Sequence, residues 1–167
     1  LQFHNGKKLE ADVVATFLPG EVVESLYAAM HTAGLQVASM TLEPIAAMNA
    51  AIPHELRLLN LALVDIGAGT TDIAICRDGS VVGYTMATVA GDEVTEALMR
   101  SYLVDFKTAE QIKRSMGETD ELIRCRNILG QEERVSAAEA AQVIQEPMDH
   151  LAQAIAKQIL GANGAAP

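Results

Sequence analysis

Apolar residues alternate with small or polar ones on both sides of a glycine-rich segment in the middle of the chain. Before it, a short apolar run over 61–66 is typical of a buried strand, and after it Ile73 and Ile75 alternate with smaller residues. Asp78-Gly79 predicts a tight turn, which leads into a third strand over 81–89. The pattern therefore predicts three consecutive strands in a meander, with the glycine loop joining the first two.

Helical spacing of apolar residues marks the segment before this meander. Pro19-Gly20 opens a predicted helix that Gly34 ends, and strands are predicted on either side of it, over Leu9–Leu18 and Leu35–Leu42. Pro44 fits the first turn of a short alanine-rich helix that follows. The first sixty residues are thus predicted as strand, helix, strand and a second, shorter helix.

Capping signals mark the segment after the meander. A helix is predicted over 92–103, and Thr108 with Gln111 predicts a capping box for a second, short helix that Gly117 ends. A strand pair is predicted over 122–135, turning at Gly130.

The last predicted element is a long amphipathic helix. Ser136 and Glu139 have capping-box spacing at its start, and apolar residues recur along one stripe of it. Pro147 falls inside this helix and predicts a kink, because proline removes a hydrogen bond and clashes with the preceding turn.

Composition narrows the classes of function. The 167 residues carry a net charge of −10 without a basic stripe, which argues against a nucleic-acid partner. Cys76 and Cys125 stand alone, and the four histidines are scattered singly, so neither residue type has metal-ligand spacing. The sequence holds neither a long apolar run nor a signal-peptide pattern. A reduced cytoplasm is the predicted setting.

The glycine loop has the chemistry of a phosphate site. Gly67 and Gly69 let backbone N–H groups approach an anion, Thr70 and Thr71 add hydroxyl donors, and Asp65 stands at the strand end where it would hold a divalent cation or orient water. The loop is not a P-loop, because it has no lysine and leads into a strand, and it lacks the third glycine of a dinucleotide-binding turn. An ordinary hairpin that uses glycine as a turn residue is the alternative.

The whole string Asp65-Ile-Gly-Ala-Gly-Thr-Thr-Asp72 resembles the second phosphate hairpin of the actin, Hsp70 and sugar-kinase ATPase superfamily, and within it is most similar to the FtsA family. Leu42–Ala47 resembles the segment that connects the two lobes of these ATPases, and Val89–Thr95 resembles the entry to their fourth subdomain. Ala68 and Ala90 stand where the family usually has glycine. The resemblance implies an α/β, actin-like (ribonuclease H-like) second lobe with part of the inserted first-lobe subdomain.

The resemblance also implies a site for ATP and magnesium. In it Asp65, through water, would hold the metal, and Glu43 would be the second carboxylate that orients the attacking water. Gly91 would join the glycine loop at the phosphates. The residues implied for the ribose and adenine are Glu110, Lys113 and Arg114. The alternatives are a helix-start carboxylate for Glu43 and a solvated ion pair for Glu110 with Lys113.

By the same resemblance the chain divides into five parts. These are the end of the inserted subdomain (1–41), the connecting segment (42–60), the phosphate-hairpin core (61–89), the small fourth subdomain (90–135) and a kinked helix that returns to the core (136–167). Two-lobed ATPases need roughly twice this length, so we expect a fragment that lacks the first phosphate loop and the adenosine loop. We therefore expect it to bind ATP weakly or not at all by itself, and to show no ATPase activity alone.

The implied function is that of an actin-like cell-division protein. Such a protein is a weak magnesium-dependent ATPase that forms filaments and links the tubulin-like division filament to the inner face of the cell membrane, which it reaches through a C-terminal helix outside this fragment. Arg124, Arg126 and Arg134 would receive the acidic tail of the tubulin-like partner. The alternatives are a PilM-like pilus assembly scaffold and an EutJ-like or Hsp70-like chaperone ATPase.

Overall fold

The computed structural model describes residues 7–8, 10, 15, 17–116 and 122–162. Its helices and strands, in chain order, are α1 (Gly20–Thr32), α2 (Glu43–Ala51), β1 (Leu61–Ile66), β2 (Thr71–Arg77), β3 (Ser80–Ala87), α3 (Gly91–Tyr102), α4 (Phe106–Ser115), β4 (Ile123–Arg126), β5 (Glu132–Val135) and α5 (Ala137–Ala162), with a 3-10 turn at His54–Leu56. Across the described ranges, no helix combines the length and the hydropathy that crossing a membrane requires.

The predicted meander is confirmed. Strands β1, β2 and β3 pair antiparallel in that order, and the β2–β3 turn has left-handed φ angles of 49° at Asp78 and 77° at Gly79. Both central residues of a two-residue type I′ turn need φ above zero, which the Asp-Gly pair supplies. Strand β3 ends at Ala87, two residues earlier than predicted.

Strand β2 lies at the centre of the sheet and is its most buried strand. Helix α2 packs on the face of β2 that carries Cys76, where Met48 Sδ lies 3.3 Å from the Cys76 thiol sulfur. Helix α5 packs on the opposite face, where Thr85 of β3 donates a 2.6 Å hydrogen bond to Gln158. Because successive strand residues point to opposite faces, the sheet is held between these two helices.

A second core forms among the helices α3, α4 and α5 and the strand β5. Its buried residues are Leu98, Val104, Ala109, Ile112, Val135 and Ala140. Helix α3 ends at Tyr102, and its C-cap residue Leu103 adopts the left-handed conformation with φ 50°. The strand pair predicted to turn at Gly130 is confirmed, and the Asn127 side chain closes that turn by accepting from the backbone N–H groups of Leu129 and Gln131 at 3.0 Å each.

One of the two predicted capping boxes is confirmed, and the other is wrong. At the start of α5, Ser136 N donates to Glu139 Oε2 at 3.0 Å and Glu139 N donates back to Ser136 Oγ at 3.2 Å. Helix α4 instead begins one turn before Thr108, because Asp105 is its N-cap and accepts from the Thr108 N–H at 2.7 Å. This contact lowers the pKa of Asp105. The predicted end of α4 at Gly117 lies outside the described residues.

The part of the chain before the sheet agrees only in part with its prediction. Helix α1 is confirmed, and Gly34 follows its end with φ 75°. The predicted strand over Leu9–Leu18 falls mostly outside the described residues, and the strand predicted over Leu35–Leu42 is wrong, because this segment has no strand partner among them. A strand exists only where its backbone groups pair with a neighbour, which periodicity does not supply.

Helix α5 runs from Ala137 to Ala162 and passes through Pro147 without interruption. Its apolar stripe reaches both cores, since α5 packs on α3 near its start and on β2 and β3 further along. The helix therefore connects the sheet with the second core.

Candidate functional site

The loop between β1 and β2 is a tight turn that leaves its backbone donors exposed. Gly67 N donates to Thr70 O at 2.9 Å, and a Cβ at Gly67 would lie 3.0 Å from that oxygen. The N–H groups of Ala68, Gly69 and Thr70 make no hydrogen bond to another residue that the structure describes. Ala68 does not need a left-handed φ angle, so its methyl group is accommodated. The loop therefore presents a row of donors of the kind that binds anions.

Thr71 occupies a different environment from its neighbour Thr70. Thr70 is exposed, whereas Thr71 is fully buried and its hydroxyl donates to Val89 O at 2.7 Å. The Thr71 hydroxyl hydrogen is thus used to hold the loop against the segment that precedes α3. Of the two predicted threonine donors, only Thr70 has a hydroxyl in the exposed loop.

Three carboxylates meet beside the hairpin. Asp65 on β1 lies directly opposite Asp72 on β2, and Glu43 stands in the first turn of α2. All three line one small cavity, whose other walls are Pro44, Ala47, Leu63 and Ala74. The structure therefore brings together the two carboxylates that the sequence singles out, Glu43 and Asp65, and adds Asp72. In the part of the chain that the structure describes, no set of three His, Cys, Asp or Glu residues is arranged to hold a metal ion directly.

Tyr84 of β3 contacts Asp72, one of the three carboxylates of this acidic cavity, from the side of β2 that faces away from β1. Its hydroxyl donates a hydrogen bond to Asp72 Oδ1. That hydrogen bond, burial and the charges of Asp72 and Glu43 together raise the pKa of Tyr84 to about 12. Sequence reasoning misses Tyr84, because its approach to Asp72 depends on the register between β2 and β3.

The start of α3 is joined to the glycine loop by two backbone hydrogen bonds. Gly91 N donates to Gly67 O at 3.0 Å, and Asp92 N donates to Ala68 O at 2.8 Å. A Cβ at Gly91 would lie 3.1 Å from Gly67 O, so glycine permits this close approach. The first turn of a helix carries unpaired N–H groups and a partial positive charge, and here it lies against the loop with the exposed donors.

Helix α4 joins the same network through a partly buried ion pair. Lys113 Nζ pairs with Glu110 Oε1 and also donates to Thr95 Oγ1 at 2.7 Å and to Gly91 O at 3.2 Å. Thr95, which is fully buried on α3, contacts Glu110 as well. The hydrogen bonds from Lys113 and Thr95 lower the pKa of Glu110.

Arg114 stands apart from this network. Its side chain is 80% exposed, and its Nε lies 3.8 Å from Glu110 Oε2. The network therefore links Gly67, Gly91, Glu110 and Lys113 and leaves Arg114 at its edge. Thr95 is the member that sequence reasoning misses, although its position one helical turn after Gly91 is a usable signal.

Solved structures share this architecture. MreB5 of Spiroplasma citri, solved bound to ADP and to AMPPNP, matches with TM-scores of 0.64 and 0.65 at 24% and 23% identity, over 85% of this chain and 48% and 47% of that one. The protein in a PilM–PilN type IV pilus biogenesis complex matches with a TM-score of 0.60 at 24% identity, over 80% of this chain and 34% of that one. The molecule therefore has the α/β fold of the actin-like ATPase superfamily, as a partial domain, and the predicted fold class is confirmed.

The sequence comparison identifies the family within that class. The family model for cell division protein FtsA matches residues 62–161. The FtsA of Bacillus subtilis (strain 168) is 24% identical over 92% of this chain, and the FtsA of Pseudomonas aeruginosa PAO1 is 31% identical over 65% of it. The chain belongs to the FtsA family.

The matches cover part of each relative. The chain spans 37% of the length of the Bacillus protein and 26% of the Pseudomonas protein. The ethanolamine utilization protein EutJ of Escherichia coli K12 is also similar, at 33% identity over 62% of this chain and 35% of EutJ.

Proposed function

We propose that this chain forms the second phosphate hairpin and the ribose-binding helix of a magnesium–ATP site in an actin-like cell-division protein. One observation carries the proposal: the two hydrogen bonds from the start of α3 to the glycine loop, together with Lys113, join the exposed loop donors to the Glu110 pair on α4. An isolated hairpin turn would need neither of these contacts.

The loop would hold the β- and γ-phosphates. Because they lack side chains, Gly67 and Gly69 let the phosphates come close to the loop backbone, and Thr70 adds donors. Gly91 places the positive end of α3 behind the loop. A net charge of −10 repels a polyphosphate, so its affinity would come from these fixed backbone donors and from the metal ion.

The carboxylates of the acidic cavity would face magnesium through its water ligands. Asp65 would accept hydrogen bonds from the metal's water ligands, and Glu43, in the same cavity, would orient the water that attacks the γ-phosphate. Phosphoryl transfer depends on positioning and charge neutralisation more than on covalent chemistry, which fits a slow ATPase.

The ribose would bind at Glu110. Its Oε1 is occupied by Thr95 and Lys113, which leaves Oε2 as the acceptor for the ribose hydroxyls. The lowered pKa of Glu110 keeps that carboxylate ionised and able to accept. Lys113 would position Glu110, and the exposed Arg114 would be available to stack on the adenine ring.

Membership of the FtsA family supports a proposal for the cellular role. The relatives are named cell-division proteins, and MreB5 of Spiroplasma citri binds ADP and AMPPNP on the same fold. We infer a cytoplasmic protein that forms filaments and ties a tubulin-like division filament to the inner face of the cell membrane through a C-terminal helix outside this chain. The division into five parts at 41, 60, 89 and 135 belongs to the same proposal.

The test is ATP binding and turnover by the full-length protein and its Asp65→Asn variant. The variant keeps the shape of the side chain and removes its charge, so turnover should fall at least about tenfold while ATP affinity changes by less than about threefold. Asp78→Asn makes the same change at the exposed β2–β3 turn and should match wild type. Turnover of Asp65→Asn within twofold of wild type would remove the carboxylate from the mechanism.

The similarity to EutJ supports a second candidate, a chaperone-like ATPase. Two measurements on the full-length protein distinguish the cell-division role from the chaperone role. Nucleotide-dependent sedimentation of filaments supports the cell-division role, whereas nucleotide-dependent affinity for an unfolded polypeptide supports the chaperone role.

A further inference from the structure

Tyr84 lies between the apolar residues Val82 and Met86 along one exposed stripe of β3. The register pairs Tyr84 with Ala74 and pairs Met86 with Asp72, so Tyr84 reaches Asp72 diagonally across the ladder. Diagonal neighbours on one sheet face lie within reach of a long aromatic side chain. The hydroxyl of Tyr84 is thereby bonded to Asp72 Oδ1.

Asp72 needs such a contact because of its other neighbour. Asp65 lies directly opposite it on β1, and like charges in directly opposite positions destabilise an antiparallel pair. Glu43 adds a third carboxylate to the same cavity. Without a donor on its far side, the Asp72 carboxylate would be free to rotate away from Asp65 and out of the cavity.

We propose that Tyr84 is a positioning residue of the nucleotide site, whose hydroxyl fixes Asp72 beside Asp65 so that the two carboxylates together receive the water shell of magnesium. The bond commits Asp72 Oδ1 to the protein and leaves Oδ2 for that water. This inference rests on the proposed ATP site.

A tyrosine suits this task better than a cationic residue. A lysine or arginine would also bond Asp72, but its charge would neutralise the carboxylates that attract magnesium. The phenol is a neutral donor, and with a pKa of about 12 it keeps its proton throughout the physiological range. Tyr84 can therefore hold Asp72 without weakening the negative charge of the cavity.

The test is Tyr84→Phe in the full-length protein, which keeps the ring and removes the hydroxyl. The magnesium concentration for half-maximal ATP turnover should rise about tenfold, the low end of the effect of removing an outer-shell partner of a metal site. Affinity for ATP measured in EDTA should stay within twofold of wild type, because the glycine loop is unchanged. Tyr27→Phe, on α1, is the matched control and should behave as wild type.

A double mutant separates positioning from folding. If Tyr84 acts through Asp72, then Tyr84→Phe should add less than twofold to the magnesium requirement of Asp72→Asn, whereas independent effects would multiply. Wild-type magnesium dependence in Tyr84→Phe, or multiplicative effects in the double mutant, would overturn the role of Tyr84 alone. A wild-type protein that binds no magnesium–ATP would overturn the proposed site and this inference with it.

Discussion

At the scale of single residues, Gly67 and Gly69 are glycines for different reasons. A Cβ at Gly67 would lie 3.0 Å from Thr70 O, which is tighter than nine in ten real Cβ contacts, whereas a Cβ at Gly69 meets no atom within 4 Å. Neither glycine has a left-handed φ angle. Packing inside the fold therefore favours glycine at position 67. At position 69 the fold leaves room for a side chain, and only a bound ligand would require glycine there.

We accordingly expect Gly67→Ala and Gly69→Ala to separate folding from binding. Gly67→Ala should lower the free energy of unfolding by about 1–3 kcal/mol, because the loop must shift. Gly69→Ala should leave stability within about 0.5 kcal/mol and weaken ATP binding about tenfold or more, because a methyl group would occupy phosphate space. Denaturant unfolding and calorimetric titration measure the two quantities. Unchanged ATP affinity in Gly69→Ala would argue against phosphate at this loop.

The Glu110 carboxylate predicts a pH dependence of stability. Because Lys113 and Thr95 lower its pKa on folding, its stabilising contribution is present above the ordinary glutamate pKa of 4.5 and is lost as pH falls through the folded value. Urea unfolding between pH 7 and pH 3 should show this loss. Glu110→Gln should reduce the slope of the free energy of unfolding against pH. Lys113→Met removes the largest cause of the shift and should reduce the slope as well. An identical slope in Glu110→Gln would contradict the network.

At the scale of secondary-structure elements, Arg57 fixes the end of α2. Its guanidinium donates three hydrogen bonds of 2.9 Å each, to Ile52 O, Asn49 O and the Asn49 side chain. These acceptors lie at the last turn of α2, where backbone carbonyls lack helical partners.

Arg57→Ala should therefore destabilise the protein by about 1–3 kcal/mol, since it removes three charge-assisted hydrogen bonds, of which the one to Ile52 O is partly buried. Arg57→Lys keeps the charge but loses the planar fork and should recover only part of that stability. Arg114→Ala is the matched control, because its side chain is 80% exposed and its contact is long, and it should cost less than about 0.5 kcal/mol. A loss equal to that of the control would show that Arg57 is not a structural clamp.

At the scale of the whole molecule, three arginines share one hairpin of an acidic chain, together with Glu132 and Glu133. Arg124 lies directly opposite Arg134 on β4 and β5, and both are exposed with Arg126. Two like charges in opposite positions cost stability unless an anion lies between them. With a net charge of −10, the rest of the molecule repels an acidic peptide.

We therefore expect an acidic C-terminal peptide of the tubulin-like division protein to bind at this hairpin. Titration followed by NMR should shift resonances within residues 122–135, and the affinity should fall as salt rises. Arg124→Glu with Arg134→Glu should abolish these shifts, whereas Arg100→Glu on α3 should not. No binding at millimolar peptide would favour the pilus-type or chaperone-type alternatives.

Elements that depend on near neighbours follow from the sequence. The Asp78-Gly79 turn, the Ser136 capping box and the glycine after α1 each rest on contacts within about four residues, and all three are confirmed. Thr108 shows the limit of this reasoning, because Asp105, only three residues earlier, is a stronger N-cap and accepts from the Thr108 N–H group, which places Thr108 inside the helix.

The sequence by itself determined the meander, the helices around it and which residues bear the chemistry of a phosphate loop, because strand alternation, helical spacing and turn residues are local properties of the chain. Only the tertiary structure decided that Thr71 is buried while Thr70 is exposed, that Thr95 joins Glu110 to Lys113, and that Tyr84 reaches Asp72. Those contacts join residues 12 to 18 positions apart, and they depend on strand register and on how two helices pack. Such long-range contacts are set by the folded core as a whole, which no local pattern in the sequence encodes.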